Sequence, residues 1–150
     1  MRNINKISIH TSDSSWGDVN AIRSWHLERG WSDVGYHYII KNGILRYKSD
    51  YIESLDGDVD VGRPITKIPS AVKHYNTGMI AICLIGKNGK YTPKQLMKAI
   101  ELCSDLMDIY KLPLEVIKGH YEYPNVTKTC PDINMDNFRL AIKSYREGLK

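Results

Sequence analysis

No apolar stretch in this chain of 150 residues approaches the ~18 residues that a membrane span requires. Residues 1–10 alternate polar and apolar side chains, so they lack the apolar core of a signal peptide. Cysteine is scarce: Cys83, Cys103 and Cys130 are odd in number and show no C-x-x-C spacing, which argues against a disulfide framework and a thioredoxin-like motif. Lysine and arginine are scattered and form no basic block, and neither an internal repeat, a low-complexity tract nor a linker interrupts the chain. What is present fits an ordinary soluble domain, with 42% hydrophobic and 25% charged residues. One domain over residues 1–150 is expected, large enough to bury roughly 70% of its unfolded surface. The net charge of +4 suits an anionic partner without identifying one.

Hydrophobic periodicity orders the elements as β-α-β-β-loop-β-α-β-loop-α, a pattern that favours an α/β fold with a mixed sheet flanked by helices. Lys6–His10 reads as a strand running into the polar cluster 11–15, and Asp18 as the N-cap of a helix through about Arg29. Tyr36–Lys41 is rich in β-formers, and Asn42-Gly43 signals a hairpin turn into Ile44–Tyr47. Residues 48–76 read mostly as a loop, of the kind that often forms a functional rim. Met79–Ile85 is continuously apolar, as a strand covered on both faces is. Thr92-Pro93-Lys94-Gln95 is a capping box with proline at the first helical position, starting a helix to Tyr110. Leu114–Lys118 reads as a short strand delivering Gly119-His120, and a last helix begins near Asp136.

His10 and His120 share one placement, each where a strand gives way to a polar loop, and ligands gather at the carboxyl ends of strands in open α/β sheets. Cys130 follows ten residues after His120. Two imidazoles and a thiolate make a three-ligand zinc set with a fourth position open. Two strand-end histidines and a cysteine also arise without function, and the spacing alone does not decide between these readings. His26 on the helix stripe and His37, pointing opposite Tyr36 on its strand, read as packing or hydrogen-bonded core histidines. Cys83 and Cys103 read as small core hydrophobes, and Trp16 and Trp31 as either a binding rim or anchors of the first helix.

The wider sequence closely resembles the zinc-dependent N-acetylmuramoyl-L-alanine amidases of the phage T7 lysozyme and peptidoglycan-recognition-protein type. The resemblance rests on Ile9-His10-Thr11-Ser12, the run from Ile22 to Ile40, Gly62-Arg63-Pro64, Tyr75-Asn76 with the following strand, Gly119-His120-Tyr121-Glu122 and Lys128-Thr129-Cys130-Pro131. These blocks fall in the family's order across residues 6–132. The resemblance implies a mixed sheet with helices packed on it and a zinc cleft at one edge. It places the Zn2+ ligands on His10, His120 and Cys130, a tyrosine beside the metal-bound water on Tyr36 and a catalytic lysine on Lys128. The implied reaction is hydrolysis of the amide between N-acetylmuramic acid and L-alanine in bacterial peptidoglycan, with Lys128 stabilising the oxyanion and Tyr36 assisting proton movement. One departure stands out. Where relatives carry a substrate-holding histidine before the Tyr-Asn pair, this chain has Ala71, so His74 substitutes from three residues away or the contact is missing.

A phage endolysin, made in the cytoplasm without a signal peptide and acting on the wall after release, accounts for these features; a cytosolic recycling amidase would share them. A peptidoglycan-binding protein without activity is the rival of a second class, which the presence of Cys130 counts against. A regulatory role toward another protein is a third, with no surface in the sequence to identify its partner. A monomer is expected, and DNA binding lacks any recognition helix or basic cluster. Glu122 and Asp132 leave open a carboxylate pair near the cleft, which a muramidase would need.

Overall fold

The computed structural model describes residues 2–150. Eight principal elements follow one another: β1 (Lys6–Thr11), α1 (Val19–Glu28), β2 (Tyr38–Asn42), β3 (Asp56–Val61), β4 (Met79–Leu84), α2 (Pro93–Tyr110), β5 (Ile117–Gly119) and α3 (Met135–Gly148). The five strands form one sheet in the order β3-β2-β4-β1-β5. β4 runs parallel to β2 and β1, β5 runs parallel to β1, and only the edge strand β3 is antiparallel. The sheet is therefore mixed and flanked by helices, as the element order implies.

Alternation along the central strands assigns the two faces. Ile7 and Ile9 of β1, with Ile80, Ile82 and Leu84 of β4, pack under α2 and α3 against Ala99, Cys103, Leu106, Phe138 and Ile142. Cys83 and Ile85 point the other way, to Ile22 of α1, Val34 and Ile39. Every residue of β4 is buried, which explains its unbroken apolar run. The start of α2 is doubly fixed: Gln95 N–H donates to Thr92 Oγ1 and Thr92 N–H to Gln95 Oε1. The Gln95 amide nitrogen then ties the helix to the sheet through the carbonyls of Ile40 and Ile85.

The hairpin expected at Asn42-Gly43 does not form. Asn42 Oδ1 instead accepts from Ile44 N–H while its amide donates to Ser15, and the Ile44 carbonyl accepts from Gly17 N–H. The strand that pairs with β2 lies later, inside the expected loop, and registers Tyr38 against Val61 and Ile40 against Val59. Its three aspartates disfavour a strand by propensity. They are held by partners: the ammonium of buried Lys41 lies 2.9 Å from Asp60 and 3.3 Å from Asp58, and Tyr51 donates to Asp56. Leu114–Val116 is likewise a short helical turn, and the strand begins only at Ile117. The last helix starts at Met135, capped by Asn134, one residue before Asp136.

Candidate metal centre

β1 and β5 are parallel neighbours, with Ile9 opposite Gly119, so His10 and His120 emerge side by side at the carboxyl ends of the two strands. Their ring centroids lie 4.9 Å apart. Cys130 is carried back to them by its loop. Its carbonyl accepts from Tyr121 N–H at 2.9 Å, and its Sγ lies 3.2 Å from the donating Thr11 N–H. The Tyr91 hydroxyl secures the same loop by donating to the Pro131 carbonyl. One candidate ligand atom from each of His10, His120 and Cys130 lies within 4.8 Å of the others.

Electrostatics suits these groups to ligation. Burial, then the neighbouring His120 and Lys128, pushes the His10 pKa well below its ordinary value. Burial and Lys128 lower His120 in the same way, so both rings are neutral and each offers a lone pair. Burial raises the Cys130 thiol to about 11, so a metal ion must displace its proton to bind. The second nitrogen of His10, Nε2, is occupied by a contact of 2.7 Å with Ser8 Oγ. Sequence reasoning gave Ser8 no role. Alternation along β1 was the available signal, because it puts Ser8 on the same face as His10.

The Tyr36 ring stands 5.1 Å from the His10 ring. Burial, followed by the thiols of Cys83 and Cys130, raises its hydroxyl well above the ordinary tyrosine value, so it is a neutral donor at any working pH. Lys128 is exposed and lines a groove of about 720 Å³ together with His120, Trp31, Lys73, His74 and Asn125. His74 thus reaches the groove despite its displacement from the place where relatives carry their histidine. It does so with a positive φ of 75°, a backbone conformation unusual for a residue with a side chain. Trp31 is half in the groove and half an anchor, its ring 4.4 Å from that of His26, whereas Trp16 packs on Trp25.

The remaining candidates lie outside the centre. Cys83 and Cys103 are buried among apolar side chains. His26 is buried and accepts the Gly35 N–H on Nδ1; His37 is buried, accepts the Ala81 N–H on Nδ1 and donates from Nε2 to the Lys67 carbonyl. Glu122 forms a two-pronged ion pair with Arg139, at 2.7 and 2.8 Å, and accepts the Gly119 N–H. Burial opposes its ionisation, yet Arg139 and that N–H prevail and hold its carboxyl below the usual carboxylate range. Asp132 is exposed.

Comparison with known proteins places the chain in a family. Residues 1–133 match the family model described as N-acetylmuramoyl-L-alanine amidase. The chain is 35% identical over 124 residues to the endolysin of Escherichia phage T7, covering 78% of this chain and 71% of that protein. Among solved structures, the N-acetylmuramoyl-L-alanine amidase LysC from Clostridium intestinale URNW superposes with a TM-score of 0.74 at 26% identity, over 97% of this chain and 87% of LysC. Drosophila PGRP-LB shares the fold at a TM-score of 0.68 and 23% identity, over 97% of this chain and 82% of its own. The chain belongs to the N-acetylmuramoyl-L-alanine amidase family.

Proposed function

We propose that this amidase is a zinc enzyme in which His10, His120 and Cys130 hold the metal and Lys128 and Tyr36 act on the scissile amide. The observation that carries the reading is the convergence of three ligand atoms within 4.8 Å beside a groove that also bears Lys128. Two imidazoles and one thiol are a donor set suited to zinc, whereas magnesium and calcium prefer oxygen ligands. Three protein ligands leave a position open, the pattern of a catalytic rather than a structural site. Bound there, zinc supplies Lewis-acid polarisation of a carbonyl and a water nucleophile at neutral pH.

The protein's own groups do the rest. The Lys128 ammonium stabilises negative charge developing on the carbonyl oxygen of the bond between muramic acid and L-alanine. The neutral Tyr36 hydroxyl donates a hydrogen bond to the reacting oxygens and helps move a proton to the leaving amine. The groove carries Lys73, His74 and Lys128 and no carboxylate in its wall, which suits a peptide stem bearing carboxylates. The complete ligand set favours hydrolysis over binding without cleavage. Likeness to the phage T7 endolysin supports synthesis inside the host cell followed by action on the wall. No helix among the described residues is long and apolar enough to cross a membrane.

Digestion of purified peptidoglycan tests the reaction. New L-alanine amino termini with intact glycan strands are expected in the mass spectrum of the products. New reducing sugar ends with the muramoyl–alanine links preserved would overturn it.

A further inference from the structure

Ser8 is a hydroxyl in an apolar place. It is fully buried in the middle of β1, between Ile7 and Ile9, where a hydroxyl without partners is destabilising. Two atoms meet its Oγ: His10 Nε2 at 2.7 Å and Met79 Sδ at 3.0 Å. Residues i and i+2 of a strand share a face, which brings Ser8 beside His10. The parallel register of β1 with β4 pairs Lys6 with Met79 and Ser8 with Ala81, so Met79 stands diagonally across from Ser8 on that same face.

A serine hydroxyl has one hydrogen to give, and a thioether sulfur can only accept. Donation to Met79 Sδ turns the oxygen lone pairs toward His10 Nε2, and a contact of 2.7 Å then requires the proton to sit on Nε2. In a neutral imidazole the lone pair is then on Nδ1. If Ser8 donated to Nε2 instead, Nδ1 would carry the proton and lose its capacity to ligate.

We propose that Ser8 is a positioning residue that, with its hydroxyl turned by Met79, fixes the His10 tautomer and ring orientation so that Nδ1 is the metal ligand. The proposal rests on the zinc reading for its consequence, but the tautomer belongs to the metal-free protein. Loss of the partner that orients a ligating histidine typically costs about 10–100-fold in metal affinity.

The experiment uses the whole chain and reads two quantities. Long-range proton–nitrogen NMR of the metal-free protein reports the His10 tautomer, and competition against a chromophoric chelator reports zinc affinity. Wild type is expected to show the Nε2–H form. Ser8→Ala should lose it in part or whole and bind zinc about 10–100-fold more weakly. Met79→Leu keeps the volume and removes the sulfur acceptor, so it should also erode the Nε2–H form, and it serves if Ser8→Ala does not fold. A wild-type tautomer and affinity in Ser8→Ala, or in Met79→Leu where the first variant does not fold, would overturn the proposal. So would the Nδ1–H form in wild type. Failure of the zinc reading is separable: it appears as zinc uptake unchanged by His10→Ala.

Discussion

Acidification from pH 7 to pH 5 is expected to remove about 4 kcal/mol of folding stability through His26 and His37, about 2 kcal/mol from each. Both rings are buried, at 4% and 1% exposure, and both accept a backbone N–H on Nδ1. Burial is the main reason their pKa values fall to about 4, with Arg29 and Arg63 adding to it for His26 and Arg2 and Arg63 for His37. In the unfolded chain each returns to about 6.5 and takes up its proton first. Stability is therefore complete above pH 6.5 and lost as the pH falls toward 4. At pH 5 the unfolded histidines lie ~1.5 units past their midpoint, and at 1.36 kcal/mol per unit that gives the figure for each ring. The loss is a large share of an ordinary domain's margin of about 5–15 kcal/mol. The consequence reaches the site, because the two rings hold Gly35 and lock position 37, on either side of Tyr36 in the chain. Urea unfolding at the two pH values, compared between wild type and the His26→Gln and His37→Gln variants, separates the share of these two rings from that of His10 and His120. NMR of the ring protons reports which state each histidine occupies. Folded-state titration of both rings near 6.5, or an unchanged urea midpoint, would refute the reasoning.

Two further outcomes are expected at the centre itself. Lys128→Ala should keep its fold and its zinc yet lose about 10²–10³ in turnover, since it removes one group that stabilises the oxyanion; muropeptide release near the wild-type rate would show that the charge is supplied elsewhere. Elemental analysis should find one zinc per chain in wild type and in Cys83→Ala, whose thiol faces Ile22, Val34 and Ile39, and a loss of zinc in His10→Ala and Cys130→Ser. Full occupancy in the last two, each still folded, would move the metal to other ligands.

Legibility in the sequence followed the strength of local physics. The apolar run of β4 and the Thr92–Gln95 capping box are each determined by their own few residues, and both elements form where the sequence places them. β3 was illegible because its stability is not local: a strand written Asp56-Gly57-Asp58-Val59-Asp60-Val61 depends on Lys41, Tyr51 and β2 across the chain. The Asn42-Gly43 signal failed for the same reason, since Ser15 takes the Asn42 side-chain amide and Gly17 takes the Ile44 carbonyl. At the site, strand ends foretold the positions of His10 and His120. The approach of Cys130 depended on the resemblance, because no pattern within residues 120–130 shows that the loop returns to Thr11.

The segment from Ile117 to Glu122 shows why the carboxylate two residues after His120 does not serve a sugar-cleaving reaction. A general acid must hold a proton near neutral pH and release it to the leaving oxygen. Glu122 is instead ionised, gripped by both terminal nitrogens of the Arg139 guanidinium and by the Gly119 N–H. Arg139 also donates to the Ile117 carbonyl, so the pair pins α3 to the strand that ends at His120. Gly119 completes that fastening by having no side chain: a Cβ there would lie 2.8 Å from Met135 and 3.0 Å from Pro131, the neighbour of Cys130. Any larger residue would have to displace the Met135 side chain and press on Pro131 in the loop that carries the thiol. The acid beside His120 thus anchors the strand that ends there, and the groups gathered at the centre and its groove are imidazole, thiol, phenol and ammonium. That set suits the proposed attack on an acyl carbon and offers no paired carboxylates to a glycosidic bond.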